Sequence, residues 1–237
     1  MRNKDISTKM NLDKIIFIGR TYEEYMDMFD LSEDRLKGRK ILDCPAGACS
    51  FTAEGREKGL DITAADIAYD HSLDQLELKG RQDVHHAINH MEKAKSNYIW
   101  SYFKNLHALE EYRLSALKKC TDHMHQFNEH YVPVTLPELP FEDQQFDIVL
   151  SAHFLFMYAD RLDEDFHLKA IDELIRVAKE EVRIFPTVDL QGNRYKYLDH
   201  IHSYYRDMGF DTEEVKVPYE FQANADQMLV IKKYRSY

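Results

Sequence analysis

The sequence predicts an α/β fold, a mainly parallel sheet that ends in an antiparallel hairpin. Three observations carry this. Strand and helix signals alternate along most of the chain, the pattern of a parallel sheet covered by helices. One interval, residues 71–130, breaks the alternation with helical periodicity only. The last two strand signals, Glu214 to Val217 and Met228 to Lys233, have no helix between them, so they pair as a hairpin. The chain has 237 residues. At roughly 100–200 residues per domain, that fits one domain, 1–237, carrying a helical insert or cap at 71–130.

The elements follow in order. Thr21 and Glu24 have the spacing of a capping box and open a helix. Tyr22, Tyr25, Met26 and Phe29 fall on one face of it. After Gly38, Lys40-Ile41-Leu42-Asp43 reads as a buried strand and Cys44-Pro45-Ala46-Gly47-Ala48 as a small-residue turn. A short helix stops at Gly59, and Asp61 to Asp66 is a second strand ending on an acid. In the insert, Leu106, Leu109, Tyr112, Ala116, Cys120, Met124 and Phe127 step by three and four, a helical stripe. Its patterning is too regular for a disordered loop. Tyr131 to Thr135 is a third strand, and Pro133 suggests an irregular or edge position. Phe146 to Ser151 is a fourth. Phe166, Ala170, Leu174 and Val177 stripe a helix, and Val182 to Phe185 is a fifth strand stopped by Pro186. Leu198, Ile201, Tyr205 and Met208 stripe the last helix, which Gly209 ends.

Composition narrows the function. Asp and Glu total 42 against 31 Lys and Arg, a net charge of −11. Phosphate binding needs the opposite surplus, so nucleic acid is not the expected partner, and a small molecule or a basic substrate fits better. The three cysteines, Cys44, Cys49 and Cys120, show no zinc-like spacing and suit a reducing cytoplasm. The run Ile15 to Ile18 is too short for a signal-peptide core. The longest apolar stretch, Ile148 to Ala159, is too short for a bilayer. The expectation is a soluble cytoplasmic protein without a membrane partner; the oligomeric state stays open.

The chemistry concentrates between the first two strands. A strand ending in Asp43, a turn containing Gly47, a helix and a strand ending in Asp66 form a nucleotide-binding half-unit. Gly47 allows close approach of a ligand to the backbone. Asp66 is placed where an acid accepts hydrogen bonds from a ribose diol. A dinucleotide's pyrophosphate wants several backbone N–H groups and no anion nearby. Here Pro45 has no N–H, Cys49 stands at the last glycine position, and Asp43 sits at the mouth. S-adenosylmethionine carries an ammonium and a sulfonium instead of a phosphate, so the same substitutions leave its site usable.

The segment Ile41 to Phe51 resembles motif I of the class I S-adenosylmethionine-dependent methyltransferases. Leu139-Pro140-Phe141 through Phe146-Asp147-Ile148-Val149 resembles the stretch into their fourth strand. Glu173-Leu174-Ile175-Arg176-Val177 resembles the helix before their fifth. The resemblance implies a Rossmann-like seven-stranded sheet in the order 3-2-1-4-5-7-6, with the insert between strands two and three. It implies S-adenosylmethionine as cofactor. Asp43, Ala46 and Gly47 would line the methionine end, and Asp66 would take the ribose hydroxyls. Ile67 would lie against adenine, Thr135 and Leu136 at its edge, and Ser151 beside the sulfonium. The chain departs from the family at Pro45 and Cys49, at Thr135 where many members have an acid, and at Lys179-Glu180-Glu181, in place of a Pro-Gly-Gly turn.

Other residues are weighed individually. His153, two past Ser151, is the candidate catalytic residue, a base for an oxygen or nitrogen acceptor; closing the pocket is its structural alternative. Arg20 could reach a carboxylate. Asp147 is read as organising the fourth strand through backbone bonds. His86 and His90 have metal-compatible spacing but no third ligand, so no metal is assigned. His123 and His125 are read as a pH-sensitive cap surface, and Trp100, Tyr102 and Phe103 as cap core or a substrate-facing wall. The function expected is methyl transfer to a small molecule. The alternatives are a non-catalysing S-adenosylmethionine-binding protein, an NAD-type oxidoreductase, or a methyltransferase acting on a protein or RNA.

Overall fold

A computed structural model describes residues 16–233. Ile15, the first residue of the run read above for a leader, lies outside the described residues. The strands are β1 (Lys40–Asp43), β2 (Asp61–Asp66), β3 (Tyr131–Pro133), β4 (Phe146–Ala152), β5 (Ala178–Phe185), β6 (Phe210–Lys216) and β7 (Gln227–Lys233). They form one seven-stranded sheet in the order β3-β2-β1-β4-β5-β7-β6, as the resemblance implies. β1 to β5 pair in parallel. β7 runs antiparallel to both β5 and β6, so the terminal hairpin closes that edge. This is a Rossmann-like, mainly parallel sheet closed by an antiparallel hairpin. The central strands are near-continuous apolar runs because helices cover both faces; in β4 all residues but Asp147 are buried.

The helices are α1 (Tyr22–Met28), α2 (Glu33–Leu36), α3 (Phe51–Glu57), α4 (Leu73–Lys93), α5 (Leu106–Gln126), α6 (Glu164–Val177) and α7 (Leu198–Asp207). The α1 capping box forms as expected. Glu24 N donates to Thr21 Oγ1 at 3.3 Å, and Thr21 N to Glu24 Oε2 at 2.9 Å. Tyr25 stacks on Phe51 and Phe29 meets Phe185, so α1 is covered on two sides. That double cover buries Met28, outside the predicted stripe. Asp147 does organise the sheet: its Oδ2 accepts from Lys40 N at 2.8 Å, tying the starts of β4 and β1.

Three expectations are corrected. Lys179-Glu180-Glu181 is not a loop; β5 begins at Ala178 and takes these residues in. Each charge finds a partner there: Lys179 with Asp147, Glu180 with Arg39, and Glu181 with Arg35 and Arg183. The third strand stops at Pro133, leaving Val134 and Thr135 as connecting chain. In α5 the buried face carries Leu109, Arg113, Ala116, Leu117, Cys120 and Met124, while Tyr112 and Phe127 are exposed. Arg113 displaces Tyr112 because its charge has a buried partner, described below.

Helices α4 and α5 lie between β2 and β3 and pack closely; a Cβ on Gly80 would fall 2.5 Å from a Leu117 methyl. The connection between them reaches the β6–β7 loop. Ile99 N donates to Phe221 O at 2.7 Å and Ala223 N to Asn97 O at 3.1 Å. Phe103 and Trp100 pack edge-on against Phe221, and Tyr102 donates to Asp27. Trp100, Tyr102 and Phe103 thus join the insert to α1 and to the hairpin loop; Phe103 is buried, Trp100 and Tyr102 pack half-buried against the same cluster, and none of the three lines the cavity.

Candidate active site

A cavity of about 570 Å³ opens at the carboxyl ends of β1, β2 and β4, where open α/β sheets place ligands. One end is built by the turn after β1 and the end of β2. Gly47 has φ +56°, a left-handed conformation that suits glycine. Its N–H donates to Asp66 Oδ2 at 2.8 Å, and Ala68 N donates to Oδ1 at 2.8 Å. Asp66 is 6% exposed. Burial raises its pKa, and the two N–H bonds pull the other way. Each carboxylate oxygen keeps acceptor capacity for a ligand. Ala46, Ile67, Thr135 and Leu136 complete this wall.

The next part of the wall is Arg20, Tyr25, Gly47 and Cys49. The segment before α1 crosses the turn so closely that a Cβ on Gly19 would lie 1.8 Å from Ala48 O. Ser50 N donates to Arg20 O at 3.0 Å, and Arg20 N donates to Cys49 Sγ at 3.2 Å. Cys49 therefore supplies an acceptor that a glycine would not. The Arg20 Nε is buried and has no hydrogen-bond partner among the described residues.

Asp43 and Ser151 do not reach the cavity wall. Asp43 is fully buried behind Tyr25, whose hydroxyl donates to its Oδ1 at 3.0 Å. Its Oδ2 and the Ser151 hydroxyl have no partner among the described residues. Burial, with the nearby Asp66 charge added, pushes the Asp43 pKa well above its ordinary 3.8, against the Tyr25 hydrogen bond. A raised carboxyl pKa means the folded state holds a proton the unfolded chain releases. Stability therefore falls as pH rises from about 3.8 through the folded pKa. Asp43→Asn keeps the acceptor for Tyr25 and removes the buried charge. The variant is expected to be more stable than the parent when ligand-free, by a margin that grows with pH above 4; urea unfolding at pH 5 and pH 8 checks this.

The far wall starts just past β4. His153 has φ +52°, a conformation uncommon for a residue with a side chain. Its N–H donates to Phe185 O at 2.7 Å, and its ring lies 5.3 Å from the Phe185 ring. The Nδ1 is buried without a partner among the described residues. Burial first, then the Arg20 and Arg113 charges, hold its pKa well below 6.5. Both effects favour the neutral imidazole.

Sequence reasoning missed one constellation. Glu24, fully buried, receives Arg113 at 2.6 and 2.9 Å and the Tyr219 hydroxyl at 2.9 Å. Arg113 and Tyr219 both line the cavity. The available signal was a charge on the buried stripe of α5, four residues after Leu109. Elsewhere, His123 is buried rather than superficial, its Nδ1 2.9 Å from the Tyr131 hydroxyl. Among the described residues no three His, Cys, Asp or Glu side chains gather as a metal site.

The structure thus brings Ala46, Gly47, Asp66, Ile67, Leu136 and His153 onto one cavity and leaves Asp43 and Ser151 behind its wall. Comparison with known proteins adds relatives. A family model described as a methyltransferase domain matches residues 96–185. The uncharacterized protein MJ0045 of Methanocaldococcus jannaschii is 34% identical over 225 residues, covering 94% of this chain and 99% of that protein. Among solved structures, magnesium protoporphyrin IX methyltransferase of Synechocystis PCC 6803 aligns with a TM-score of 0.47 at 12% identity, over 85% of this chain and 73% of that one. A putative S-adenosylmethionine-dependent methyltransferase of Methanococcus maripaludis aligns with a TM-score of 0.46 at 14% identity, over 91% and 84%.

Proposed function

We propose that this chain, which belongs to one family with MJ0045 and to the class I S-adenosylmethionine-dependent methyltransferase type, transfers a methyl group to a small molecule. The observation that carries the reading is the Asp66–Gly47 contact at the cavity's edge. Asp66 would accept the ribose hydroxyls, with Ile67 and Leu136 flanking adenine. Ala46 and Gly47 would line the methionine chain, and Arg20 would hold its carboxylate. The cofactor supplies a methyl group already activated by its sulfonium, so the chain's main contribution is alignment. Asp43, behind Tyr25, and Ser151 would act on that site from beneath. His153 would take a proton from the acceptor. The helices of 71–130 would form a cap, since Val84, Ile88 and Met91 of α4 line the cavity.

The same contact speaks against an NAD-type oxidoreductase. The Gly47 N–H that a pyrophosphate would need already donates to Asp66. A cytoplasmic location is supported by three free, buried cysteines. Among the described residues no helix is long and apolar enough to cross a membrane.

The test is transfer of labelled methyl from S-adenosylmethionine into a cell extract split into low-molecular-mass, protein and RNA fractions. Label in the low-molecular-mass fraction is expected. Label in protein or RNA alone would contradict the small-molecule reading. Binding without transfer to any fraction would favour the non-catalysing role.

A further inference from the structure

We propose that the acceptor is an apolar molecule presenting an acidic hydroxyl, such as a phenol, to His153. This rests on the methyltransferase reading above and deepens it.

Two features of the cavity support it. Beyond the residues assigned to the cofactor, the wall is mostly apolar, with Ile88 and Met91 from α4, Met157 and Phe166 beyond β4, and Phe221 from the β6–β7 loop; Tyr98, Tyr158 and Gln222 are its neutral polar members away from the Glu24 cluster. Such a wall gives a peptide or a sugar few partners, and buried polar groups without partners are costly. The charges on the wall are also one-sided. Arg20, Arg113 and Arg161 line it, and Asp66, at the adenosine end, is the one carboxylate among the described lining residues. Glu24 compensates Arg113 from behind the wall, and Asp160 holds Arg161. Arg20, which would also hold the methionine carboxylate, keeps a buried, unpartnered Nε.

A basic amine would meet arginine charges on an apolar surface. An oxygen that becomes anionic meets the complementary field. The Arg20 and Arg113 charges, which add to burial in lowering the His153 pKa, also favour loss of a proton from a hydroxyl beside it. A weak base of this kind suits an acidic hydroxyl better than an ordinary alcohol.

The step balances as follows. The acceptor O–H gives its proton to the His153 imidazole on the cavity wall, and the oxygen electron pair forms a bond to the methyl carbon. The carbon–sulfur bond breaks, its electrons go to sulfur, and S-adenosylhomocysteine leaves. The proton on His153 passes to solvent.

The experiment titrates 2-naphthol, 2-naphthalenemethanol and 2-(aminomethyl)naphthalene into protein saturated with S-adenosylhomocysteine. 2-Naphthol is expected to bind about tenfold or more tighter than either analogue. Its naphtholate absorption should appear at lower pH when bound than when free. Ile88→Asp should weaken 2-naphthol by at least about tenfold and leave S-adenosylhomocysteine affinity unchanged. Equal affinities, tightest binding of the amine, or no binding of 2-naphthol would overturn the proposal while the cofactor assignment stands. Failure of S-adenosylhomocysteine itself to bind would overturn both.

Discussion

Arg113→Ala is expected to destabilise the protein by about 3–5 kcal/mol, the cost of leaving a buried charge unpaired. The partner is Glu24, fully buried and held by both guanidinium NH groups, by the Tyr219 hydroxyl and by Thr21 N. These bonds join the start of α1, helix α5 of the insert and the β6–β7 loop at one point. Burial alone would raise the Glu24 pKa, but the Arg113 charge and hydrogen bonds outweigh it and hold the pKa below 4.5. A depressed carboxyl pKa gives stability that is present above the unfolded value and lost as pH falls through the folded one. The gap between parent and variant should therefore be widest above about pH 4.5 and narrow below it. A double change to Glu24→Leu with Arg113→Met removes both charges and should recover much of the loss. Urea unfolding of the three proteins at pH 4 and pH 7 checks both statements. Equal stability of parent and Arg113→Ala at pH 7 would mean that Glu24 finds another partner.

His153→Ala is expected to lower kcat by about 100- to 10,000-fold, the usual contribution of a positioned acid or base. Affinity for S-adenosylhomocysteine should not change, since His153 lies on the wall beyond the cofactor residues. Arg20, Arg113 and Tyr158 share the cavity wall with the imidazole. Because its pKa is held well below 6.5, the parent rate should show no inflection from this residue near pH 6.5. Transfer assays from pH 5.5 to pH 8 on parent and variant check this. A His153→Ala enzyme with unchanged kcat would leave His153 as a residue that only closes the pocket.

Much of the fold was legible in the sequence because its signals are local. The Thr21–Glu24 box, the strand ending at Asp66 and the helix-free interval before Met228 each depend on residues close in the chain. The pairs that decide burial at α5 and β5 do not. Arg113 finds Glu24 at a separation of 89 residues, so hydropathy alone chose Tyr112 for that stripe. Glu181 meets Arg35 at a separation of 146 residues, which lets a charged stretch continue a strand where a turn was expected.

The site divides in the same way. Spacing along β1 and β2 placed Gly47 and Asp66 together, and they are 2.8 Å apart. Nothing in the spacing shows that Tyr25 stands between Asp43 and the cavity. Nor does it show the left-handed backbone at His153. Both depend on helix α1 and strand β5 closing over the ends of β1 and β4.

The central claim is that this cavity binds S-adenosylmethionine, and calorimetric titration with S-adenosylhomocysteine tests it most directly, with NAD as control. Saturable one-to-one binding of the first and none of the second is expected. Asp66→Ala should weaken it by about 100-fold, the loss of two hydrogen bonds to a charged group at about 1.5 kcal/mol each. No binding of S-adenosylhomocysteine, or equal binding of NAD, would contradict the account and leave only the fold.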